Sequence, residues 1–397
     1  MSPHAVISGA GISGPALAHQ LTARGWRTTI LERHPALREE GQNVDVRGAA
    51  REVARRMGID AEIRAANTGE IGMRFVTEDG TPVASFPIDG RDGVDGPTAE
   101  LEILRGELSR ILHEHTRDDT DYRFGTQLAD VADHGDGVTA VLQDGTRLDA
   151  DVVVIAEGLR SRSRRFVTPA DVEEFGMYFA YLTIPRTEGD DAWWNWLHVP
   201  GSRSVHLRPD NLGGTRAILT FMSDVRGLER LARADQEMIL ARTFADVGGP
   251  APRILAALAD GAPGYFDAVG RVRTPRWSAG RVALLGDAAS CNATFGGVGT
   301  SMGLIGAYVL AGELAAGDDH LEALARYEKV LRPVTAAMPT IEPSQLRRAN
   351  PRTAGGIRAL RAAARAAASP VGRRVASLAG RRMATLPVEG MRLPDYA

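Results

Sequence analysis

Gly9-Ala10-Gly11-Ile12-Ser13-Gly14 has the spacing GxGxxG. Each glycine in that spacing meets a physical need. Gly9 permits a tight turn, Gly11 lets backbone approach a pyrophosphate, and Gly14 lets a helix pack on a strand. A helix opening at Ile12 and Ser13 offers free N–H groups and a partial positive charge to the anion. Glu32 follows about twenty residues later, where a carboxylate takes ribose hydroxyls and repels a 2′-phosphate. Far along the chain, Gly286-Asp287 ends another apolar run, and its carboxylate can accept from a ribityl or ribose hydroxyl. Gly296-Gly297-Val298-Gly299 then opens a helix from Thr300. Its N-terminal dipole would stabilise negative charge on a reduced flavin ring. Contacts from both ends of the chain require a long cofactor, which points to FAD rather than NAD.

These residues need elements to hold them. Ala5–Ser8 is short and apolar, Pro15–Arg24 has helical composition, Gly25 stops it, and Arg27–Glu32 is a second strand. A right-handed crossover makes the two strands parallel. Gly41–Gly48 is looser, Ala50–Met57 reads as a helix, and Met73–Pro87 alternates around Asp79-Gly80 as a hairpin does. A helix is expected over Ala99–His113 and strand structure over Val138–Leu148, with a turn at Asp144-Gly145. Asp151–Ala156 is nearly all Val and Ile, as in a strand buried on both faces. Phe175–Val225 reads as several strands, Val282–Gly286 as another, Thr300–Ala316 as a helix of small residues, and Leu321–Thr385 as mostly helical. The expected fold is α/β: a Rossmann-type FAD-binding domain with an inserted, mostly antiparallel substrate domain and a helical C-terminal region. The pieces 1–72, 99–170 and 270–320 would form the discontinuous FAD domain. The pieces 73–98 and 171–269 would form the substrate domain, and 321–397 the helical end.

Taken together, the motifs resemble the class A, single-component flavin monooxygenases, the family of p-hydroxybenzoate hydroxylase and the tetracycline-inactivating monooxygenases. The resemblance runs from residue 4 to about 340, with four motifs in the family's order. They are GxGxxG with Glu32-Arg33, the loop Gly41-Gln42-Asn43-Val44-Asp45-Val46-Arg47-Gly48, Arg105 in Leu104-Arg105-Gly106-Glu107-Leu108, and Gly286-Asp287. By this resemblance Asp45, Arg105 and Asp287 bind FAD. Arg47 would lie near the flavin ring as the catalytic arginine, and Arg38 would meet the nicotinamide cofactor. FAD would be non-covalent, because no family attachment residue is recognisable. NADPH or NADH would bind transiently as reductant, since there is a single GxGxxG. The implied reaction has NAD(P)H reduce FAD, after which O2 supplies one oxygen atom to a small, electron-rich aromatic substrate.

Three positions depart from the family. Glu157, in Ala156-Glu157-Gly158, replaces the aspartate of the DG motif, which contacts both FAD and the nicotinamide cofactor. Ser290 stands where a histidine or aromatic residue is usual, and Thr294 stands where a proline packs beside the flavin. These departures keep two other readings open: an FAD-containing non-redox enzyme of cyclase type with a structural flavin, and a protein that sequesters an aromatic ligand. Strand alternation nominates Tyr181, Trp194, Trp196, Phe221 and Phe295 for the substrate wall. Trp194 to Pro200 is similar in outline to a flavin-halogenase motif, but its proline is one residue late. Lys329 is also the only lysine, so strand packing is the better account.

Composition bounds the rest. The 397 residues exceed one comfortable core, so two domains are expected. With 44% apolar and 24% charged residues and a net charge of −3, no global field favours nucleic acid or an anionic membrane. One cysteine, Cys291, fits a reducing compartment and, by type, a small buried hydrophobe. No hydrophobic leader follows His4, and no apolar run approaches the ~20 residues of a membrane span. A cytoplasmic protein, monomeric or weakly dimeric, is expected. The nine histidines lack ligand spacing, so no metal is expected. Arg358, Arg361 and Arg365 share a helical face that is read as solvated.

Overall fold

The computed structural model describes residues 2–38, 40–88, 101–292, 297–372, 374 and 386–396. Its first layer is a six-stranded sheet. The central strands are His4–Ser8 and Val152–Ile155, which pair parallel from Ala5↔Val152 to Ser8↔Ile155. All four residues of Val152–Ile155 are inaccessible, which is why the run is purely β-branched. Arg27–Glu32 and Thr120–Phe124 extend the sheet on one side, and Val282–Leu284 and Ser278–Ala279 on the other. All but the last pairing are parallel.

The helix Ser13–Thr22 packs on the helix Gly299–Ala315. Thirteen of the latter's seventeen residues are buried, so it is apolar on every side, as a helix inside a core must be. Leu304, Ile305 and Leu310 are each fully inaccessible and stabilise the fold by about 1.5–3 kcal/mol apiece. Glycines set the approach: a Cβ on Gly303 would sit 2.6 Å from Ser13 Oγ.

The second layer is an eight-stranded, mostly antiparallel sheet. It contains Met73's hairpin (Gly72–Val76 and Pro82–Pro87) and the four strands Glu173–Pro185, Trp194–Val199, Arg203–Pro209 and Gly214–Met222. Gly264–Arg273 and Ser290–Cys291 complete it. On Glu173–Pro185 the even-numbered residues Tyr178, Ala180, Leu182 and Ile184 bury beneath the helices Arg233–Phe244 and Ala251–Ala259. Phe179 and Tyr181 point to the opposite face. Thus one strand supplies a core with one side and a cavity wall with the other.

Two expectations change. The helix expected over Ala99–His113 is, where described, the strand Glu102–Leu104 followed by the helix Arg105–Glu114. Residues 102–104 pair antiparallel with Asn43–Asp45, and burial of Ile103 and Leu104 overrides helical propensity. The strand Leu128–Asp133, which completes a three-stranded antiparallel sheet with Val138–Leu142 and Arg147–Ala150, carried no recognised sequence signal. At the C-terminal end the described helices are His320–Ala337, Pro343–Ala349, Ala354–Ala368 and the short Pro387–Gly390. Arg358 and Arg365 are exposed there, while Arg361 reaches the Val76 carbonyl at 3.3 Å. Among the described residues no helix is long and apolar enough to cross a membrane.

Candidate FAD and substrate site

Parallel strands present their carboxyl ends to one edge of the sheet, the edge at which such sheets bind ligands. Four of the singled-out segments follow such ends: Gly9 after His4–Ser8, Glu32 on Arg27–Glu32, Glu157 after Val152–Ile155, and Gly286-Asp287 after Val282–Leu284. They open on a cavity of about 430 Å³ that continues to the face of the second sheet. A larger, open depression of about 790 Å³ lies at the opposite strand ends, among His4, Trp26 and Arg147, and contains none of the motif residues.

The glycine-rich turn shows why its side chains are missing. Gly9 has φ +116°, and a Cβ there would lie 2.5 Å from the Ala156 carbonyl oxygen. A Cβ on Gly14 would lie 2.0 Å from the Gly9 oxygen, so Gly14 packs behind the turn and does not line the cavity. Gly11, Ile12 and Ser13 do line it. Glu32 stiffens the turn by accepting from the Ala10 and His34 backbone N–H groups, both at 2.9 Å. Gly286, at φ +64°, brings the far segment against the same turn, with a Cβ position 2.6 Å from Ser13 Oγ. The two ends of the chain therefore meet at one place.

Arg105 begins its helix there, its backbone N–H donating to the Gln42 carbonyl at 2.9 Å. Its guanidinium lies beside Gly11, 3.3 Å from the place a Cβ would take. Burial depresses its pKa, and the Arg38 charge adds to that. Among the described residues it has no carboxylate at ion-pair distance. A half-buried cation with no carboxylate at ion-pair distance among the described residues, beside the N–H groups of the turn, fits a pyrophosphate. Asp287 is its acidic counterpart. Burial raises the Asp287 pKa, opposed by a hydrogen bond from the Cys291 thiol and by the Arg105 and Arg164 charges. Cys291 is buried and lines the cavity. Gly297, Gly299 and Thr300 lie at the cavity too, with Asp287 Oδ1 3.4 Å from a Cβ on Gly299. These are the features an FAD chain requires: cradles that a Cβ would fill, an uncompensated cation and an acceptor carboxylate.

Arg33, Arg38, Asp45 and Glu157 complete this side. Arg38 stands over the Tyr265 ring, 5.6 Å from its centroid. Asp45 pairs with Arg47 at 2.9 Å, and burial pushes its pKa up to about 6 against the Arg47 charge. Arg47 itself does not line the cavity. It is buried behind Asp45, and its backbone N–H donates to Ser301 Oγ at 2.9 Å. The geometry makes it a residue that positions Asp45. Glu157 accepts from Ser8 Oγ and Ser163 Oγ at 2.6 Å and from Ser161 Oγ at 2.8 Å. Burial would raise its pKa, but these hydrogen bonds outweigh it and hold the carboxylate ionised. The extra methylene of Glu157 thus serves a serine cluster that joins strand His4–Ser8 to the following loop.

The sheet side of the cavity comes from register. Tyr181 stands opposite Tyr265 on one neighbour and Ile218 on the other; Ile218 opposes His206, and His206 opposes Trp196. All lie on one face. Of the nominated aromatics, Tyr181 and Trp194 line the cavity. Trp196 shares their face but does not line the cavity. Phe221 does not reach the cavity: it opposes Tyr178 and stacks on it at 5.5 Å within the helix-covered core. Phe295 and Thr294 lie outside the described residues, and Ser290 lines the cavity. Residues that single-strand alternation missed are Phe179, Tyr265 and Arg208. The Arg208 guanidinium lies 3.9 Å from the Trp194 ring centroid. It is held between Glu70, at 2.7 Å, and Glu102. Asn43 and Thr68 donate to Glu102 as well, at 2.7 and 2.5 Å. Burial raises the Glu70 pKa, opposed by Arg208. Only pairing across strands would have found this cluster. Among the described residues no group of His, Cys, Asp and Glu is placed to hold a metal ion.

Comparison with known proteins agrees with this geometry. A model of the FAD binding domain family matches residues 3–340. The flavin-dependent monooxygenase eupH of Phoma sp is 37% identical over 328 residues, covering 78% of this chain and 76% of that protein. The crystal structure of tetracycline destructase Tet(51) superposes with a TM-score of 0.80 at 26% identity, covering all of both chains. Klebsiella pneumoniae HpxO, solved with FAD and uric acid, has the same fold, with a TM-score of 0.75 at 20% identity, covering 96% of this chain and 97% of that one. With the cradle, the cation and the match over most of its length in hand, the chain belongs to the FAD binding domain family of flavin-dependent monooxygenases.

Proposed function

We propose that the protein is an FAD-dependent monooxygenase that uses NADH or NADPH and O2 to oxygenate a small aromatic substrate. One observation carries the reading: the turn with its uncompensated Arg105 and the aromatic face of the second sheet bound one continuous cavity. When bound, FAD supplies the redox chemistry, taking electrons from the reduced nicotinamide and passing one oxygen atom from O2 to the substrate. The chain supplies position and electrostatics. Gly11, Ile12, Ser13 and Arg105 would hold the pyrophosphate, Glu32 the adenosine ribose, and Asp287 the ribityl chain. The N-terminus of the helix beginning at Gly299, which lies at the cavity, would favour negative charge on a reduced flavin. Asp45, fixed by Arg47, would serve the flavin side of the cavity, and Arg38 would meet the nicotinamide cofactor. Phe179, Tyr181 and Trp194 form an aromatic wall that would orient an arene and exclude water. In this reading residues 1–72, 99–170 and 270–320 are the FAD-binding unit, 73–98 and 171–269 the substrate unit, and 321–397 a helical cover.

The test is steady-state oxidation of NADH and NADPH by the purified protein against a panel of phenols and hydroxylated polycyclic arenes. At least one arene should raise the rate several-fold above the basal value. Conversion of an arene without consumption of reductant would contradict the proposal and favour a structural flavin.

A further inference from the structure

The loop that carries Gln42, Asn43, Val44 and Asp45 to the cavity ends at Gly48 and is held from two sides. On one side lies the helix Gly299–Ala315. Its Ser301 Oγ accepts from the Arg47 backbone N–H at 2.9 Å and donates to the Asp45 carbonyl at 3.0 Å. On the other side lies the end of the chain. Gly48 has φ +53°, and a Cβ there would sit 2.2 Å from the Val388 carbonyl oxygen. Val388 is fully inaccessible and joins the same core as Val46, Ala49 and Val53. The loop is thus sandwiched between a core helix and residues 386–396.

The end of the chain is fastened a second time, on that same helix. A Cβ on Gly312 would lie 2.1 Å from the Tyr396 ring, and its three nearest atoms would all belong to Tyr396. The Tyr396 hydroxyl donates to Glu313 at 2.8 Å, and its ring packs on Tyr308 at 5.5 Å. Tyr308 in turn donates to the Pro394 carbonyl at 2.9 Å. Glycine weakens a helix interior relative to alanine, so the helix gives up some of its own stability at Gly312 to admit this ring. Between the two fastenings Gly390, Arg392 and Asp395 are exposed. The Asp395–Arg56 pair, at 3.9 Å, is solvated and adds little. Among the described residues this stretch joins no sheet, so it can leave without breaking a strand pairing. Chain ends stay ordered only where they are tied down, and here the ties are Val388 and Tyr396.

We infer that Val388 and Tyr396 are positioning residues: the docked end of the chain clasps the flavin-side loop, residues 42–48, against the helix, and its docking sets how tightly FAD is retained. FAD retention is measured without turnover, so a protein that oxygenates nothing still shows it. The FAD-loaded protein is diluted, and release of FAD is followed by the rise in flavin fluorescence, at a temperature at which each variant keeps the parent's far-ultraviolet circular dichroism. Tyr396→Ala removes the ring. Gly312→Ala wedges against the ring while raising helix propensity. Each should speed FAD release about three- to tenfold. Tyr396→Phe keeps the ring and should stay within about twofold of the parent. The double variant should match Tyr396→Ala within about twofold, because the wedge then has nothing to displace. Release as slow as the parent's in Tyr396→Ala would overturn the inference, whatever Gly312→Ala does. So would effects that multiply in the double variant, since the two residues would then act separately.

Discussion

On one wall of the cavity the contacts are set by backbone; on the other they are set by side chains from different strands. Gly9, Gly14 and Gly286 act by lacking a Cβ, and each closes an approach that any larger residue would block. Their partners are few and are mostly backbone or a single small side chain: Ala156 for Gly9, Gly9 for Gly14 and Ser13 for Gly286. Across the cavity, Tyr181, Trp194 and Arg208 come from three strands and meet only because the ladder brings them into line. The first wall is suited to a cofactor that never changes, and the second to a ligand that differs between relatives. The difference also predicts how each wall breaks: the first should lose FAD, and the second should lose ligand while FAD stays.

The largest effect belongs to the first wall. Asp287→Ala removes a charge-assisted hydrogen bond worth roughly 1.5–3 kcal/mol, so FAD affinity should fall about ten- to hundredfold. Arg38→Ala, at the rim, should cost much less. Flavin-to-protein ratios after gel filtration measure both, and equal occupancy would remove Asp287 from its assigned place. The second wall gives the next effect. For the arene that most stimulates NAD(P)H oxidation, Trp194→Leu should weaken binding about tenfold with FAD retained, whereas Phe221→Leu should lower the melting temperature by the equivalent of about 1–1.5 kcal/mol and leave that binding within about twofold. If Phe221→Leu disturbs binding as much as Trp194→Leu does, the register that separates the two faces is not what governs the site.

The smallest effect concerns the carboxylates behind the second wall. Burial raises the folded-state pKa of Glu70 above its ordinary 4.5. The folded chain therefore binds more protons than the unfolded one in that window, and stability falls as pH rises through it. Gln at this position does not titrate. Glu70→Gln should thus gain on the parent by about 1–2 kcal/mol between pH 4.5 and 8. Melting temperatures across that range check the sign, and a difference that stays constant with pH would place the Glu70 proton equilibrium outside the fold's energetics.

The contrast between walls is also the contrast between what could and could not be read from sequence. Gly9 to Gly14, Glu32 and Gly286-Asp287 are local patterns whose geometry follows from the motif, and the structure brings them together. Arg105 was recognisable only within the family pattern, and the strand before it, Glu102–Leu104, was hidden because pairing with Asn43–Asp45 decides its conformation. Phe221 and Trp194 looked alike as aromatics in strands. Period-two alternation says that neighbours face opposite ways but not which face is the cavity, and the pairing Tyr178↔Phe221 settles that. Arg208 gave no signal, since its carboxylates lie more than a hundred residues away in sequence. Arg47 was legible as a loop arginine, but its pairing with Asp45, which directs its guanidinium away from the cavity lining, was not.

The central claim, that both walls serve one oxygen transfer, is tested most directly by turnover under isotopically labelled O2. The arene that most stimulates NAD(P)H oxidation is used, and the product is read by mass spectrometry. One labelled oxygen atom per product molecule, formed only when reductant is present, is the predicted result. A product without label, formed equally well without NAD(P)H or O2, would contradict it.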